Sequence, residues 1–303
     1  MNTETKELLP PVQSDSRKSS YMNILVTLDA NYIPYLNVML TSMLYSNPDT
    51  AFTVYFLHTS VKEEELASTR AILHSPNRLI PVHAKNLELE DAPTTARYPK
   101  EIYYRIFAAR YLPEDVDRIL YLDPDIIVNG SLKELYEMPM EDSFFAAASH
   151  IKKLMHKVNE LRLDMDEDSP YINSGVMLMN LRRLRLEQNI QEVFLYIEKY
   201  KNKLILPDQD IISALYGSKI ISLDPYRYNM TERLFALNPR NDAWFDLDWV
   251  RKNATIIHYC GRNKPWKNGY IGQLDLFFKE TLDRMQALDN PIYDDPCAAS
   301  PLN

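Results

Sequence analysis

Asp123 and Asp125 are the side chains whose type and spacing most directly suggest chemistry. They stand in Arg118-Ile119-Leu120-Tyr121-Leu122-Asp123-Pro124-Asp125-Ile126-Ile127-Val128, where one apolar run enters an Asp-Pro-Asp corner and a second leaves it. Such runs read as buried strands, and Pro124, with no N–H to donate, predicts that the ladder stops at the corner. Two carboxylates one residue apart at a strand end concentrate negative charge that needs a cation. Hard divalent ions such as Mg2+ or Mn2+ take oxygen ligands in this way, commonly one or two carboxylates together with substrate phosphates.

Spacing alone does not select this pair. Asp-x-Asp occurs six times, starting at Asp115, Asp123, Asp164, Asp166, Asp208 and Asp246, and a solvated turn or helix cap is the ordinary role of any one copy. Only the Asp123 copy has strand-like runs on both sides, and the Asp208 copy follows one, Leu204-Ile205-Leu206-Pro207. The alternating Asp164, Asp166 and Asp168 lie in a polar stretch, Lys152 to Asp168. It lacks the glycine and the final glutamate of a calcium-binding loop and is expected to be a solvated excursion.

The elements that must hold these residues follow from hydrophobic patterning. Asn23 to Leu28 is a near-continuous apolar run, as expected of a strand buried on both faces. A helix is predicted from Pro34 to Tyr45, where Leu36, Met39, Leu40, Met43 and Leu44 recur at helical spacing and Asn47-Pro48 stops it. Phe52–Leu57 is a second strand, Lys62–Leu73 a charged helix, and Leu79–Val82 a third strand placed at an edge by Pro81. Strand–helix alternation of this kind predicts an α/β fold, a mixed and mostly parallel sheet with helices on both faces. Ligands bind such sheets beyond the carboxyl ends of the strands, so Asp29-Ala30-Asn31-Tyr32 and Asp123-Pro124-Asp125 should face one crevice. Further along, a helix is expected over Pro99–Tyr111 with Arg105 in an apolar setting, either salt-bridged or clamping an anionic ligand. Phe144–Ala148 is a strand leading to His150, and Tyr171 to Asn180 a turn and a strand. Arg182–Tyr200 is largely helical with Phe194, Leu195 and Ile197 inward, and Pro207 opens a short helix. Ile220–Leu223 and Thr255–Tyr259 are late strands.

With 303 residues, 46% of them hydrophobic, the chain can bury a large core, and a net charge of −8 argues against nucleic acid as a partner. Its two cysteines, Cys260 and Cys297, provide no disulfide framework and fit a reducing cytoplasm. No apolar run approaches the ~18 residues of a transmembrane helix. The expected organisation is a disordered leader over 1–21, one catalytic domain over 22–275, and a C-terminal helix with a loosely ordered tail over 276–303.

Six segments in order resemble glycosyltransferase family 8, which contains bacterial lipopolysaccharide galactosyl- and glucosyltransferases and glycogenin. They are Thr27-Leu28-Asp29-Ala30-Asn31-Tyr32, Tyr104-Arg105, Leu120-Tyr121-Leu122-Asp123-Pro124-Asp125, Asn173-Ser174-Gly175-Val176, Asp208-Gln209-Asp210 and His258-Tyr259-Cys260-Gly261-Arg262-Asn263-Lys264-Pro265-Trp266. The last is the most specific, and the match spans roughly residues 22–275. The resemblance implies a GT-A-type, Rossmann-like nucleotide-diphospho-sugar transferase fold. It also implies transfer of a hexose from a UDP-sugar, with retention of configuration and with Mn2+ or Mg2+. It makes Asp123, Asp125 and His258 the metal ligands and gives the uridine to Asp29, Asn31 and Tyr32. Gly261 and Lys264 would meet the diphosphate, and Arg105, Asn173, Asp208 and Gln209 the donor sugar. An imidazole beside two carboxylates favours Mn2+ over Mg2+, because nitrogen is the softer donor.

Gln209 is a poor nucleophile, which favours same-face substitution over a double displacement through a carboxylate; Asp210 is expected to start a helix. His150 stands where galactosyltransferases of the family tend to carry an acid, which makes it a candidate on the acceptor side. The acceptor implied is a saccharide or glycolipid hydroxyl, reached from the cytoplasm or the inner face of a membrane, with membrane contact only through that acceptor. A hydrolase of the UDP-sugar and a non-catalytic nucleotide-, metal- or carbohydrate-binding protein are the alternatives. A nucleotidyltransferase is disfavoured by the absence of glycine from Asp29–Tyr32.

Overall fold

The computed structural model describes residues 21–84, 101–150, 153–167, 169–237 and 245–287. The expected leader and tail, and a possible donor-covering loop at Thr94–Pro99, lie outside the described residues apart from Tyr21 and the helix that ends at Ala287.

In chain order the elements begin β1 (Met22–Thr27), α1 (Ile33–Ser46), β2 (Phe52–His58), α2 (Ala67–Ile72) and β3 (Arg78–His83). They continue with α3 (Glu101–Tyr104), α4 (Ala108–Tyr111), β4 (Arg118–Leu122), β5 (Ile126–Val128), α5 (Lys133–Glu137) and β6 (Phe145–Ala148). Next come α6 (Lys153–Leu163), β7 (Val176–Asn180), α7 (Leu181–Glu187), α8 (Ile190–Tyr200), α9 (Pro207–Tyr216) and β8 (Ile220–Leu223). The last are α10 (Pro225–Tyr228), α11 (Glu232–Ala236), α12 (Leu247–Asn253), β9 (Ile256–His258) and α13 (Asp275–Ala287).

The main sheet runs β3-β2-β1-β4-β7-β6-β8. Its ladders are parallel except those of β7 with β4 and β6. β3, with Pro81, is an edge strand as expected. Side-chain alternation divides the core between two faces. Ile24, Val26, Leu120, Leu122, Val176 and Leu178 pack with Leu36, Met39 and Met43 of α1. Leu25, Ile119, Tyr121, Met177 and Met179 pack on the other face with Tyr103, Phe107, Leu181, Val193 and Ile211. Each fully buried apolar side chain of this size contributes roughly 1.5–3 kcal/mol, so both faces bind the sheet to its helices.

β1 and β4 are neighbours, and the chain leaves β1 toward β2 on one side while β4 adjoins β7 on the other. This is the switch point at which open α/β sheets form a crevice. At its end β4 gives way to the corner, and β5 departs into a second, two-stranded sheet with β9. There Ile126 lies opposite His258, and Tyr259 N–H donates to the Asp125 carbonyl at 3.0 Å. The late strand Thr255–Tyr259 is therefore shorter than expected and outside the main sheet.

Five other expectations need correction. Pro99–Tyr111 is not one helix. Over its described part, α3 and α4 are separated by tight turns in which Ile106, Phe107 and Ala108 donate three residues back, and Arg105 lies in this break. The start of the Lys62–Leu73 helix is a 3-10 turn, Glu63–Leu66. The expected excursion after Lys152 is a helix, α6, because Asn159, Glu160 and Leu163 are buried despite the charged composition. Arg182–Tyr200 is two helices, α8 being capped by Asn189. Leu195 points outward at 62% exposure, and Val193, Ile197 and Tyr200 form the buried face instead. No helix among the described residues is long and apolar enough to cross a membrane.

Candidate active site

A cleft of about 360 Å3 opens beyond the carboxyl ends of β1 and β4. Asp29, Tyr32, Arg105, Asp123, Asp125, Asn173, Asp208, Gln209, His258, Gly261 and Lys264 line it. The structure thus gathers all but two of the residues singled out from sequence. Asn31 and His150 do not line it. Asn31 N–H is spent on Asp29 Oδ1 at 2.8 Å. His150 Nε2 lies 2.9 Å from the Asn229 carbonyl, and burial together with the field of His258 lowers its pKa to about 4. His150 is therefore neutral at physiological pH.

At the cleft floor each carboxylate has one oxygen engaged and one left over. Asp123 Oδ1 accepts from Tyr121 Oη at 2.6 Å and pairs with Arg105 Nη1 at 3.1 Å. Asp125 Oδ2 takes the Lys264 ammonium. The remaining oxygens face His258 Nε2, Asp123 Oδ2 from 3.7 Å and Asp125 Oδ1 from 3.3 Å. Burial pushes the Asp125 carboxyl up, but Lys264 and His258 outweigh it and hold its pKa well below the usual carboxylate range. Asp125 therefore stays ionised at neutral pH.

These three atoms fit a divalent cation. Ligand atoms from Asp123, Asp125 and His258 lie within 4.8 Å of one another. Asp125 Oδ1 is buried with no hydrogen-bond partner, a cost that a bound cation would remove. Gly175 supplies the space. A Cβ there would stand 2.6 Å from Asp123 Oδ2 and 2.3 Å from His258 Cε1. Replacing Gly175 with alanine should push His258 and Asp123 aside, lowering Mn2+ affinity about tenfold or more and costing roughly 1–3 kcal/mol of stability, which Mn2+ titration and thermal melts would read. Unchanged Mn2+ binding would remove Gly175 as the reason the space exists.

The sugar-facing wall is built around Arg105. Its Nη1 bridges Asp123 Oδ1 and Asp208 Oδ2, each at 3.1 Å, and its guanidinium lies 4.3 Å from the Tyr121 ring centre. Arg105 is thus salt-bridged, the first of its two expected roles, and it also lines the cleft. Burial pushes the Asp208 carboxyl up against the opposing pull of Arg105. Opposite, Gly261 has φ +90°, a conformation that favours glycine, where the backbone turns at the cleft edge. Tyr32 meets Tyr35 edge-on, and Tyr35 stacks on Trp266 at 3.8 Å, so Trp266 shapes the loop rather than lining the cleft.

Three contributors escaped the sequence reading. Tyr121 could have been found, since it is two residues before Asp123 on a strand and so shares its face. Gly175 was marked only as part of the Asn173-Ser174-Gly175-Val176 segment, with no role of its own. Asn229, whose Oδ1 is 2.9 Å from His258 Nδ1, sits in a segment with no chemical pattern of its own.

The family model for glycosyl transferase family 8 matches residues 23–269. The chain belongs to this family. It is 29% identical over 262 residues to a lipopolysaccharide 1,2-glucosyltransferase of Escherichia coli, covering 84% of this chain and 76% of that protein. It is 25% identical over 257 residues to the lipopolysaccharide 1,3-galactosyltransferase of Salmonella typhimurium, with 80% and 72% covered. Among solved structures, galactosyltransferase LgtC in complex with donor and acceptor sugar analogues superposes with a TM-score of 0.74 at 22% identity, over 87% of this chain and 96% of that one. Mouse xyloside xylosyltransferase 1 does so at 0.55 and 16% identity, over 79% and 97%. The fold is thus the GT-A fold of family 8 enzymes, and the protein is a glycosyltransferase.

Proposed function

We propose that this family 8 enzyme moves a hexose, galactose or glucose, from UDP to a hydroxyl of a saccharide on a lipopolysaccharide-type glycolipid, with retention of configuration. The observation that carries the proposal is the convergence of Asp123 Oδ2, Asp125 Oδ1 and His258 Nε2 in one cleft between Lys264 and the Arg105–Asp208 pair. The lipopolysaccharide acceptor is supported by the names of the relatives from E. coli and S. typhimurium.

Asp123, Asp125 and His258 would hold Mn2+ or Mg2+, which when bound supplies positive charge to the departing diphosphate. Lys264 adds a second cationic group on that side, and Gly261 lets backbone approach phosphate. Tyr32, with Asp29, forms the uridine end, Tyr32 giving a flat face to the base. Arg105, Asn173, Asp208 and Gln209 surround the sugar. Of the two carboxylates beside Gln209 in sequence, Asp210 is fully buried and held by Arg162 and Tyr171, and Asp208 is paired with Arg105, so neither stands free as a nucleophile. That supports attack by the acceptor on the same face as the leaving diphosphate, whose oxygen takes the acceptor proton. Gln209 then stabilises positive charge growing at the sugar carbon.

Calorimetric titration of UDP, UDP-galactose and UDP-glucose with and without Mn2+, followed by UDP release in the presence of lipopolysaccharide core oligosaccharide, tests this. Binding should require the metal and turnover should require the acceptor. Turnover indifferent to acceptor would point to hydrolysis, and absence of uridine nucleotide binding would remove the donor assignment. In the same assay Gln209→Ala should leave UDP affinity unchanged and slow transfer by on the order of 10^2-fold, the size of one lost transition-state contact.

A further inference from the structure

We infer that Asn229 is a positioning residue that ties the cation side of the cleft to its sugar side. It fixes which ring nitrogen His258 presents and which amide edge Asn173 presents. The inference rests on the reading of Asp123, Asp125 and His258 as cation ligands.

A backbone N–H can only donate, and that of Gly175 reaches Asn173 Oδ1 at 3.2 Å. This settles which end of the Asn173 amide is oxygen. The end of the Asn229 amide lying 3.0 Å from that same oxygen must then be the donor, Nδ2. Its other end, Oδ1, therefore faces His258 Nδ1 at 2.9 Å. An amide oxygen only accepts, so His258 carries a proton on Nδ1, and Nε2, which faces Asp123 and Asp125, is the nitrogen whose lone pair a cation would take. The other tautomer would aim an N–H at the cation position. Outer partners of this type orient ligand imidazoles in metal sites generally. Here a single amide does a second task, because Asn173 Oδ1 now holds two donors and its NH2 is left for the cleft that Asn173 lines.

Asn229 has little freedom to do otherwise. It is fully buried. Its N–H donates to the Pro225 carbonyl at 3.1 Å, and its carbonyl accepts from His150 Nε2 at 2.9 Å. The next residue, Met230, is hydrogen-bonded to β9 on both sides, through the Ile256 carbonyl at 2.9 Å and the His258 N–H at 2.7 Å. The strand that carries His258 and the amide that orients it are thus joined by backbone as well as by side chain. His150 acts here from behind the site, as a donor that anchors the Asn229 peptide.

Mn2+ binding to the full chain without nucleotide, read from the electron paramagnetic resonance of the free ion, tests the inference in two variants. Asn229→Leu keeps the branched shape but neither accepts nor donates, and it should weaken Mn2+ binding on the order of 10–100-fold. Asn229→Asp keeps an acceptor for His258 Nδ1–H, turns an acceptor in place of the donor toward Asn173 Oδ1, and adds a buried charge that lies against His258. It should hold Mn2+ as the wild type does, while its affinity for UDP-galactose and UDP-glucose drops toward its affinity for UDP. A purely structural role would not separate these two readouts. Equal Mn2+ binding by wild type and Asn229→Leu overturns the inference, and so does equal loss of Mn2+ and sugar binding in Asn229→Asp, which decides alone if the leucine variant fails to fold. No Mn2+ binding by the wild type overturns the cation reading itself.

Discussion

Replacing Asp125 with asparagine should abolish Mn2+-dependent UDP binding and lower transfer by on the order of 10^2–10^3-fold. The substitution keeps the size of the side chain and removes its charge. Asp125 has an engaged oxygen on Lys264 and an unpartnered oxygen near His258, so both halves of its task are electrostatic. An amide can offer Lys264 a neutral oxygen, but then turns an NH2 toward the cation position. Lys264 is itself buried and loses its ionic partner, so a modest loss of stability accompanies the loss of function. Titrating UDP into the variant with and without Mn2+ measures the first effect. Identical curves for variant and wild type in Mn2+ would show that Asp125 is not a ligand.

Removing Asp210 should cost stability more than any other single change in the sugar-facing wall. Its carboxylate is fully buried and accepts from both terminal nitrogens of Arg162 at 2.8 Å, from Tyr171 Oη at 2.6 Å, and from the N–H groups of Ile205 and Leu206 at 2.7 and 3.1 Å. Asp210→Ala strands an arginine, a hydroxyl and two backbone donors at once. Breaking a buried pair from one side typically costs 3–5 kcal/mol, about that much here. In a chain of this size the melting temperature should fall by roughly 10 °C. The same network links α6 to the first turn of α9, which carries Asp208 and Gln209. Transfer in the folded fraction should therefore fall while UDP affinity is retained. A double-mutant cycle with Arg162→Ala checks the physical cause: strongly non-additive losses support the shared network, and additive ones would dissolve it.

The sequence alone determined the strands, the corner at Pro124 and the crevice at the ends of β1 and β4. These features follow from local rules: which runs are apolar, where a proline denies the ladder a donor, and where parallel strands leave their carboxyl ends. The six motifs marked the family and most of the lining. Asp208 and Asp123 stood out from the other Asp-x-Asp copies because apolar runs preceded them, a distinction that burial then bore out for Asp208.

The tertiary structure decided what no window of sequence contains. His258 comes to Asp125 only because β5 leaves the main sheet and pairs with β9, where Ile126 lies opposite His258, 132 positions later in the chain. Strand pairing of this range has no local signature. α6 was hidden because its buried face is closed by a charged contact, Arg162 on Asp210, where hydrophobic periodicity has nothing to detect. Leu195 was misplaced for the complementary reason, since an apolar residue can stand on either side of a helix and only packing chooses. Asn229 and Gly175 matter through one orientation and one missing carbon. Both acquire meaning only when His258, Asn173 and Asp123 have been brought around them.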